Sequence, residues 1–535
     1  MVDTIRQLAD LQALFPDNSS GQISPQDLRD FLVSAVPSGR SATKVVASST
    51  ASDLQKAQAD YVCDGVADDE DINAAIAAAS GGKVVLTQGP FTLAAPVLIN
   101  VDNTILEGQG HRATTLQLPT TGAITGVIAG NALTPTACVQ GIGLKRLRIH
   151  GNGDSRTGAD GHGIRWAARA SRMEDVEAVY IRGHGLDITG VSAGDLTTTN
   201  FYHNIRLGAP GVGGTFYDEE IYGLYSAGFT ADGQWSNVLI EYFHRGMALG
   251  GANGISGQHF TNVLVSEAAE TGIFLTNAVS MQFQNVSVIN NGRWGNYTPR
   301  CVYLYVKPTG GEDGGHIVHV TFENSHFWPH ADGDESDIVL ISSGSGGGKI
   351  YDVLFNGNIF GYNAEAGTGG TAAVGINFVA VGASVKYQDI VFSNNVFANV
   401  TTPISNWPPK GDEAGMVRFV NNRGSLMDGR IGDPGNTFKA IPVNDSGYVA
   451  LVTAGAETRT LADAAAPGLT LDLYFKTDGG NCVITSASPV NQAGNNTITF
   501  TDIGEYVRLV SIEDGADFEW RVVATNFTGG GLTTV

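Results

Sequence analysis

Short blocks of similar sequence recur along this chain at intervals too long for a helix or a hairpin. The offsets are 22, 23 and 25 residues for GHGIRW at Gly161 with GHGLDI at Gly183, FTNVLV at Phe260 with FQNVSV at Phe283, and Asn237 with Asn262. Farther on, offsets of 33, 37 and 27 residues separate VTFENSHF at Val320, VLFNGNIF at Val353, IVFSNNVF at Ile390 and VRFVNN at Val417. A coil of three short strands takes roughly 22 to 25 residues plus insertions. The repeats predict a solenoid over residues 61–425, with Asn and aromatic side chains stacked inside the coils.

Composition agrees with an all-β solenoid. Glycine accounts for 70 of 535 residues, roughly double its average usage, and only 16% of residues are charged while 42% are hydrophobic. Many turns and few charges are typical of stacked strands and argue against a helical or disordered chain.

The net charge of the chain limits the kinds of molecule that it can bind. The formal charge is −22, and no cluster of Lys and Arg provides the basic stripe that phosphate neutralisation needs. We therefore expect no nucleic-acid partner and no insertion into a membrane. The preferred interpretation of the acidity is that it keeps the protein soluble, since the pH is far from the isoelectric point. The alternative is a groove of carboxylates that binds or processes sugars.

The four cysteines, Cys63, Cys138, Cys301 and Cys482, are far apart and show no Cys/His spacing, so buried thiols are favoured over zinc. The acidic insertion that contains Asp332, Asp334 and Glu335 offers oxygens for Ca²⁺, but a solvent loop is the preferred interpretation. We expect neither a metal nor a cofactor.

Four further segments surround the solenoid. Residues 1–36 have helical spacing and a capping pattern at Ser24–Pro25, while residues 37–60 are rich in Ser, Ala and Thr and are predicted to be a linker. Residues 426–445 are predicted to be a second linker, and 446–535 a small β domain. The N-terminus carries charges where a signal peptide needs an apolar run, so ordinary secretion is not expected.

The segment from Tyr61 to Gly110 reads as a turn, a short helix and then strands bounded by Gly and Pro, with Asp71, Ile72, Ala75 and Ile76 on one helix face. It resembles the first coil of the pectate-lyase-like right-handed parallel β-helix superfamily, which is abundant in phage tailspikes. The resemblance implies that the short helix plugs the N-terminal end of the solenoid and hides its unpaired edge. It is specific for fold and not for chemistry, because lyases, hydrolases, epimerases and inert spikes share it.

The resemblance further implies a virion protein of a bacterial virus. Such a tailspike-like homotrimer would attach to the phage tail or capsid through the N-terminal segment and contact a host-surface glycan. Three alternatives remain open: a spike that depolymerises the polysaccharide as a hydrolase or lyase, a non-enzymatic head or tail fibre, and a bacterial carbohydrate-active enzyme. The absence of a signal peptide and the leading helical segment argue against the last.

None of the superfamily's catalytic signatures transfers to this chain. Asp68–Asp69 stand in the first coil rather than after an Asn-Thr-Asp motif, and the Gly-His-Gly segments at His162 and His184 are interpreted as repeated coil corners. The Asp-Pro-His-Glu of alginate epimerases and the Arg-x-Pro-x-x-Arg of pectate lyases are also missing.

The stacking of coils also predicts where a catalytic site could lie. Neighbouring coils lie about 4.8 Å apart, so carboxylates on adjacent coils can reach the ~5 to 9 Å separation that glycoside hydrolysis requires. The repeat that aligns Asn237 with Asn262 puts Glu241 near Ser266 and Glu267. The predicted catalytic carboxylates are Glu241 and Glu267, with Glu219 and Glu270 as the fallback pair. The predicted substrate-binding residues are Tyr217, Tyr242, His244, Arg245 and Trp294, and further stacking faces are expected from Tyr222, Tyr225 and Trp235. Solvated surface or intersubunit contact is the competing interpretation of all these positions.

Overall fold

Thirty-one strands of the described chain form one continuous sheet that winds into a right-handed parallel β-helix. The computed structural model describes residues 43–153, 161–210, 221–291, 298–306, 315–329, 337–343, 348–361, 372–380, 386–398, 400–405, 417–423, 430–431, 433–441, 443, 446–464, 467–514 and 517–533. The predicted helices within residues 1–36 lie outside these ranges.

The first strands of the solenoid are β1 (Thr43–Ala47), β2 (Tyr61–Val62), β3 (Lys83–Leu86), β4 (Gly89–Thr92), β5 (Val97–Ile99), β6 (Ile105–Glu107), β7 (Thr114–Gln117), β8 (Val127–Ala129), β9 (Val139–Gln140), β10 (Gly143–His150), β11 (Ile164–Trp166), β12 (Ala168–Arg169), β13 (Arg172–Val179), β14 (Leu186–Asp187), β15 (Thr197–Gly208) and β16 (Tyr222–Glu241). The later strands are β17 (Arg245–Ser256), β18 (His259–Ser266), β19 (Thr271–Leu275), β20 (Ala278–Asn291), β21 (Arg300–Val306), β22 (His316–Glu323), β23 (His326–Pro329), β24 (Asp337–Ser343), β25 (Lys349–Asn356), β26 (Ile359–Gly361), β27 (Ala372–Ala380), β28 (Lys386–Ser393), β29 (Val396–Ala398), β30 (Val400–Ser405) and β31 (Val417–Val420).

Each full coil contributes to three faces, which we define by their inward side chains. Face A carries Leu144, Met173, Tyr202, Trp235, Phe260 and Phe283 in register. Face B follows it in the chain and carries Leu147, Val176, Ile205, Val238, Val263 and Val286. Face C closes the coil and carries Ile164, Leu186, Leu224, Met247, Ile273, Val302 and Val339.

An aromatic ladder fills the core beneath face A. Its rings stack with centroids 3.6 to 5.4 Å apart, in the order Tyr202, Trp235, Phe260, Phe283, Phe322, Phe355 and Phe392. The predicted stacking of aromatic side chains inside the coils is therefore confirmed. The expectation that Trp235 offers a sugar-stacking face is wrong, because this ring is 2% exposed and its Nε1 donates to the buried Gln258 side chain at 2.9 Å.

Asparagines occupy the corner between faces A and B. Asn204, Asn237, Asn262 and Asn285 all have φ between 53° and 56°, a left-handed conformation that Asn tolerates better than most residues. Asn262 donates to the side chain of Asn237, and Asn285 donates to that of Asn262, at 3.3 and 2.6 Å. The repeated Asn positions are thus explained by a corner that every coil must turn.

The Gly-His-Gly segments are coil corners, as predicted. A Cβ on Gly163 would lie 2.6 Å from the carbonyl oxygen of Gly185, so the approach of the next coil leaves no room for a side chain. The intervening His162 and His184 stack with ring centroids 4.6 Å apart. This motif is therefore a packing device.

Two short helices precede the first full coil, α1 (Asp53–Ala57) and α2 (Asp69–Ala79). Helix α2 buries Ile72, Ala75 and Ile76 against the end of the core. Side chains at its start accept backbone N–H groups of the first coil: Asp68 from Thr92 at 2.7 Å, Asp69 from Ala94 at 2.6 Å and Asn73 from Leu98 at 2.8 Å. The implied plug is thus present, and it satisfies an edge that would otherwise be open.

The predicted linker 37–60 is wrong over its described part. Strand β1 pairs in parallel with β2 and β3, so the solenoid includes residues at least as early as Thr43, ahead of the predicted start at Tyr61. The Ser/Ala/Thr-rich composition concealed the short run Lys44–Val46, whose pairing with the first coil overrides its weak local signal.

The C-terminal region forms two five-stranded sheets around a separate core. Sheet D contains β32 (Arg430–Ile431), β34 (Gly447–Val452), β36 (Thr470–Thr477), β39 (Tyr506–Asp514) and β40 (Asp517–Thr525). Sheet E contains β33 (Ala440–Ile441), β35 (Glu457–Leu461), β37 (Cys482–Ser486), β38 (Thr497–Phe500) and β41 (Gly531–Thr533), and a one-turn helix α3 (Gly435–Phe438) precedes β33.

The predicted linker 426–445 also needs correction, because β32 and β33 belong to the two C-terminal sheets. The buried Arg459 contributes to this arrangement through its ion pair with Asp433, whose nearest atoms are 2.7 Å apart.

Candidate functional site

A compact ion cluster lies where face C begins, at the centre of the solenoid. Arg245 donates through Nε to Glu270 Oε2 at 2.6 Å, and Arg300 donates through Nη1 to Oε1 of the same carboxylate at 3.2 Å. His244 Nε2 is 3.7 Å from Glu270 Oε2. Both carboxylate oxygens are therefore occupied by guanidinium groups, which suits an anchoring role for Glu270.

Aromatic rings flank the two arginines. The guanidinium carbon of Arg245 lies 4.5 Å from the Phe274 ring centroid and 5.8 Å from that of Tyr222. Arg300 lies 5.1 Å from the Tyr303 centroid. These distances are within the range of cation–π attraction, which holds each arginine against the neighbouring aromatic rings.

Parallel register brings these residues together from distant parts of the chain. Tyr222 pairs with Arg245, Arg245 with Thr271, and Thr271 with Arg300. Glu270, which directly precedes Thr271, donates its backbone N–H to His244 at 2.9 Å and accepts from Arg300 at 2.8 Å. One residue per coil thus builds a continuous row.

The row continues toward the N-terminus as a stack of imidazole and phenol rings. His184 stacks on Tyr222 at 5.0 Å and contacts Tyr225 at 4.3 Å. Tyr222 is only 8% exposed, so the expectation that its ring offers a sugar-stacking face is wrong. We call His162, His184, Tyr222, Tyr225, Arg245, Phe274, Arg300 and Tyr303 the face C strip. It crosses six coils, roughly 24 Å at the spacing of parallel strands.

The two histidines of the strip act as acceptors. His162 Nδ1 accepts the backbone N–H of His184 at 3.0 Å, and His184 Nδ1 accepts that of Tyr222 at 3.2 Å. Burial, aided by the neighbouring His162, lowers the pKa of His184 to about 3, and burial also lowers the pKa of His162. Neutral imidazoles at this end of the strip therefore serve structure and stacking rather than acid–base catalysis.

Glu241 and Glu267 lie at the boundary between faces B and C. Glu241 pairs with Ser266, so Glu267 follows it on the neighbouring coil as the repeat predicts. Glu241 Oε2 accepts from Arg206 Nη2 at 3.0 Å, and its side chain is 20% exposed. Tyr242 is partly buried and packs against the main core, and His244 is buried.

Three predicted site residues, Glu219, Tyr217 and Trp294, lie outside the described residues. So do Asp332, Asp334 and Glu335 of the acidic insertion.

Within the described ranges, no group of three or more His, Cys, Asp or Glu side chains could hold a metal ion. The thiols of Cys63, Cys301 and Cys482 are buried as predicted, while Cys138 is half-buried. None of these four cysteines forms a disulfide bond.

The structure adds residues that sequence reasoning missed. Phe274, Tyr303, Arg300 and Arg206 were not among the predicted site residues, although the first three stand in register with Tyr225 or Arg245. An alignment of face C at Gly223, Gly246 and Gly272 would have found Phe274, because a glycine precedes each inward residue there; Cys301 replaces this glycine in the coil of Arg300 and Tyr303, and Arg206 lies outside face C. In the part of the chain that the structure describes, no helix is long and apolar enough to span a membrane.

No model of a known protein family matches the sequence, and no curated protein is significantly similar to it. Solved structures with a similar fold include the catalytic unit of a GH87 α-1,3-glucanase from Streptomyces thermodiastaticus. It is 15% identical, with a TM-score of 0.41, over 66% of this chain and 65% of that one, just under two thirds of its length.

The surface adhesin PfbA of Streptococcus pneumoniae is 12% identical over 86% of this chain and 96% of its own, with a TM-score of 0.45. ORF18 of Geobacillus virus E2 is 13% identical over 95% and 80%, with a TM-score of 0.40. Similarity at this level is limited to the β-helical fold.

Proposed function

We propose that this protein is a tailspike-like appendage of a bacterial virus that binds host-surface polysaccharide along the face C strip. One observation carries the proposal: the partly exposed rings of Tyr225, Phe274 and Tyr303 and the guanidinium groups of Arg245 and Arg300 are aligned coil by coil along face C.

The chemistry of the strip suits a polymer of sugar rings. Aromatic faces stack on the apolar C–H faces of sugars, and flanking Arg and Glu side chains donate to and accept from hydroxyl groups. Because the donors and rings repeat at the coil spacing, a glycan lying along the solenoid axis meets the same kind of contact several times. A small ligand would make only one of these repeated contacts.

The virion role rests on the sequence. The segment Tyr61–Gly110 resembles the tailspike-rich β-helix superfamily, and a leading segment of 1–36 precedes the solenoid. In the proposed arrangement, three copies assemble with parallel axes, the leading segments attach them to the phage tail or capsid, and the solenoids contact the host cell surface.

Binding is tested with a panel of bacterial capsular polysaccharides and O-antigens, immobilised and probed with the full chain. Phe274→Ala and Tyr303→Ala each remove a stacking face worth about 1 kcal/mol, so affinity should fall roughly five- to tenfold for each. Phe201→Ala is the matched control, because Phe201 is an exposed aromatic residue on face A, away from the strip. If both strip variants bind like the control, the strip is not the glycan site.

Depolymerisation is a second candidate function, which the position of Glu241 and Glu267 on neighbouring coils favours. One carboxylic acid would protonate the leaving oxygen while the other attacks or activates water. Glu241→Gln and Glu267→Gln should then lower the release of reducing ends by several orders of magnitude, with Glu174→Gln on face A as control.

Absorbance from an unsaturated product would instead indicate a lyase. If the parent protein binds a glycan and releases neither product, it is a non-enzymatic fibre.

A further inference from the structure

A groove lies on the outer side of face B, on a different face of the coils from the face C strip. Its volume is about 290 Å³, and the side chains that line it include His111, Asn204, Arg206, Asn237, Leu239 and Leu264. We call it the face B groove. Glu177 lines its N-terminal end, where His111 Nε2 is 3.5 Å from Glu177 Oε1 and bounds the groove. A cavity of this size is at the lower end of the range for small-molecule sites, so it fits a short ligand.

Strand register builds the base of the face B groove. Glu177 pairs with Arg206, Arg206 with Leu239, and Leu239 with Leu264, on four successive coils. Each of these residues directly follows an inward residue of face B, so all four side chains lie on the outer side of the sheet. The base of the groove therefore changes along the solenoid axis from two charged side chains to two aliphatic ones.

The charges at the N-terminal end of the groove are compensated within the chain. Glu177 Oε2 accepts from Arg148 Nε at 2.8 Å, and Arg206 donates from Nε and Nη2 to Glu241 Oε2 at 3.2 and 3.0 Å. Each arginine thus already has a carboxylate partner. A phosphate or carboxylate ligand would have to displace one of these glutamates, so the groove favours a ligand without charge.

Polar atoms beside the groove remain available to such a ligand. Arg206 Nη1, Asn237 Nδ2 and Asn204 Oδ1 make no hydrogen bond with any residue that the structure describes. The other amide atom of each asparagine is engaged, because Asn204 Nδ2 donates to Asp175 at 2.6 Å and Asn237 Oδ1 accepts from Asn262 at 3.3 Å. These bonds fix the two amides, so donors and an acceptor stand beside the groove in defined positions.

We propose that the face B groove is a binding site for a short neutral saccharide of about one or two sugar units. Sugar hydroxyl groups both donate and accept, which matches the donors of Arg206 and Asn237 and the acceptor of Asn204. Leu239 and Leu264 offer an aliphatic surface to the C–H groups of a sugar ring. Because the groove is bounded at its N-terminal end, a longer glycan would enter it by a terminal unit. The site therefore goes beyond the proposed function, in which a polymer lies along the face C strip.

The test is saturation-transfer NMR on the full chain with free neutral hexoses, deoxyhexoses, N-acetylhexosamines and their disaccharides. Glucuronate and inorganic phosphate are the anionic probes and should bind more weakly than the best neutral sugar. Leu264→Trp fills the groove, Asn237→Gly removes the amide, and Arg206→Lys keeps a positive charge beside Glu241 while removing Nη1. Each of the three variants should raise the dissociation constant of that sugar at least fivefold.

Asn285→Gly is the matched control for Asn237→Gly. Asn285 has the same left-handed backbone, with φ of 53° against 55° for Asn237, and glycine adopts this conformation without strain. It lies two coils farther along the same corner and does not line the groove, so its replacement should leave sugar binding unchanged. Circular dichroism of every variant checks that the solenoid has folded.

Each outcome decides the proposal. Binding of a neutral sugar that the three groove variants weaken and Asn285→Gly leaves unchanged supports it. The proposal is overturned if no neutral sugar of the panel binds, if glucuronate or phosphate binds more tightly, or if the groove variants bind like the parent. Weakening by Phe274→Ala alone assigns the sugar to the face C strip and also overturns it.

The same protein separates this inference from the proposed function. A parent that binds short sugars in the groove but no polysaccharide removes the proposed function alone. A parent that binds polysaccharide along the strip but no short neutral sugar removes this inference alone.

Discussion

Glu505 is the residue whose replacement we expect to affect the C-terminal domain most. Its carboxylate is buried, and it accepts the backbone N–H groups of Thr501 at 2.6 Å and of Thr528, Gly529 and Gly530 at 2.7 Å each. Burial alone would raise the pKa of Glu505, but these donors outweigh it and lower the pKa to about 2. The carboxylate therefore fastens the start of the last strand to the turn before β39.

Replacing Glu505 with Gln keeps the size of the side chain but removes the charge and turns an amide group toward N–H donors. A pKa lowered from 4.5 to about 2 corresponds to roughly 3 kcal/mol of stabilisation by the charged form. The loss should appear first as local opening of residues 528–533, because the contacts are confined to that segment.

Hydrogen exchange of the full chain, read by mass spectrometry over peptides of residues 497–533, measures this opening. Glu505→Gln should speed exchange of the affected amides roughly a hundredfold. Glu513→Gln is the control, since Glu513 is an exposed glutamate on the same domain and should exchange like the parent. A Glu505→Gln protein whose exchange stays within about threefold of the parent would refute the reasoning.

The pH dependence follows from the same pKa. Because the folded pKa is lowered, the stabilisation from Glu505 is complete above pH ~4.5 and is lost as pH falls toward 2. The difference between parent and Glu505→Gln in thermal unfolding should therefore be largest near neutrality and narrow toward pH 2. A constant difference over this range would show that the charge is not responsible.

Three other predictions concern the solenoid. Asp68→Ala combined with Asn73→Ala removes the acceptors of two edge N–H groups of the first coil. The temperature of thermal unfolding should fall by several degrees, and hydrogen exchange near Thr92 should accelerate. Glu70→Ala, on the solvent side of α2, is the control and should change neither measurement. Phe322→Ala should lower the free energy of unfolding by about 3 to 5 kcal/mol in a denaturant titration, because the ring stacks between Phe283 and Phe355. Phe201→Ala, on the surface, should lower it by less than about 1 kcal/mol in the same titration. Deleting residues 1–36 should leave the solenoid's thermal transition unchanged but abolish incorporation into virions; normal incorporation would contradict the attachment role.

The solenoid was predictable because each coil must satisfy the same constraints. The corner at Asn237, Asn262 and Asn285 and the rings at Phe260 and Phe283 repeat for physical reasons, and their offsets are visible in the sequence. Strand β1 was missed because four or five residues carry little periodicity, and only pairing with the first coil makes them a strand.

The candidate site was predictable only in part. The offset that aligns Asn237 with Asn262 placed Glu241 beside Glu267, and the ion pair between Arg245 and Glu270 joins two residues predicted separately. Arg300 was missed because an insertion precedes it, so its place in the row depends on register and not on a constant spacing. The ring of Trp235 was misassigned because sequence does not reveal which side of a strand faces the core.

The stacking of the coils also determines how the molecule would respond to a pull. The hydrogen bonds between coils run along the solenoid axis, and strands β15 and β16 alone are paired at ten positions. A force along the axis loads all bonds of one coil boundary together, so no single bond can fail first, whereas a sideways force peels them one after another. A rod built in this way is stiff in tension and weak in peeling, and the side chains of α2 that hold the first coil protect the end where peeling would begin.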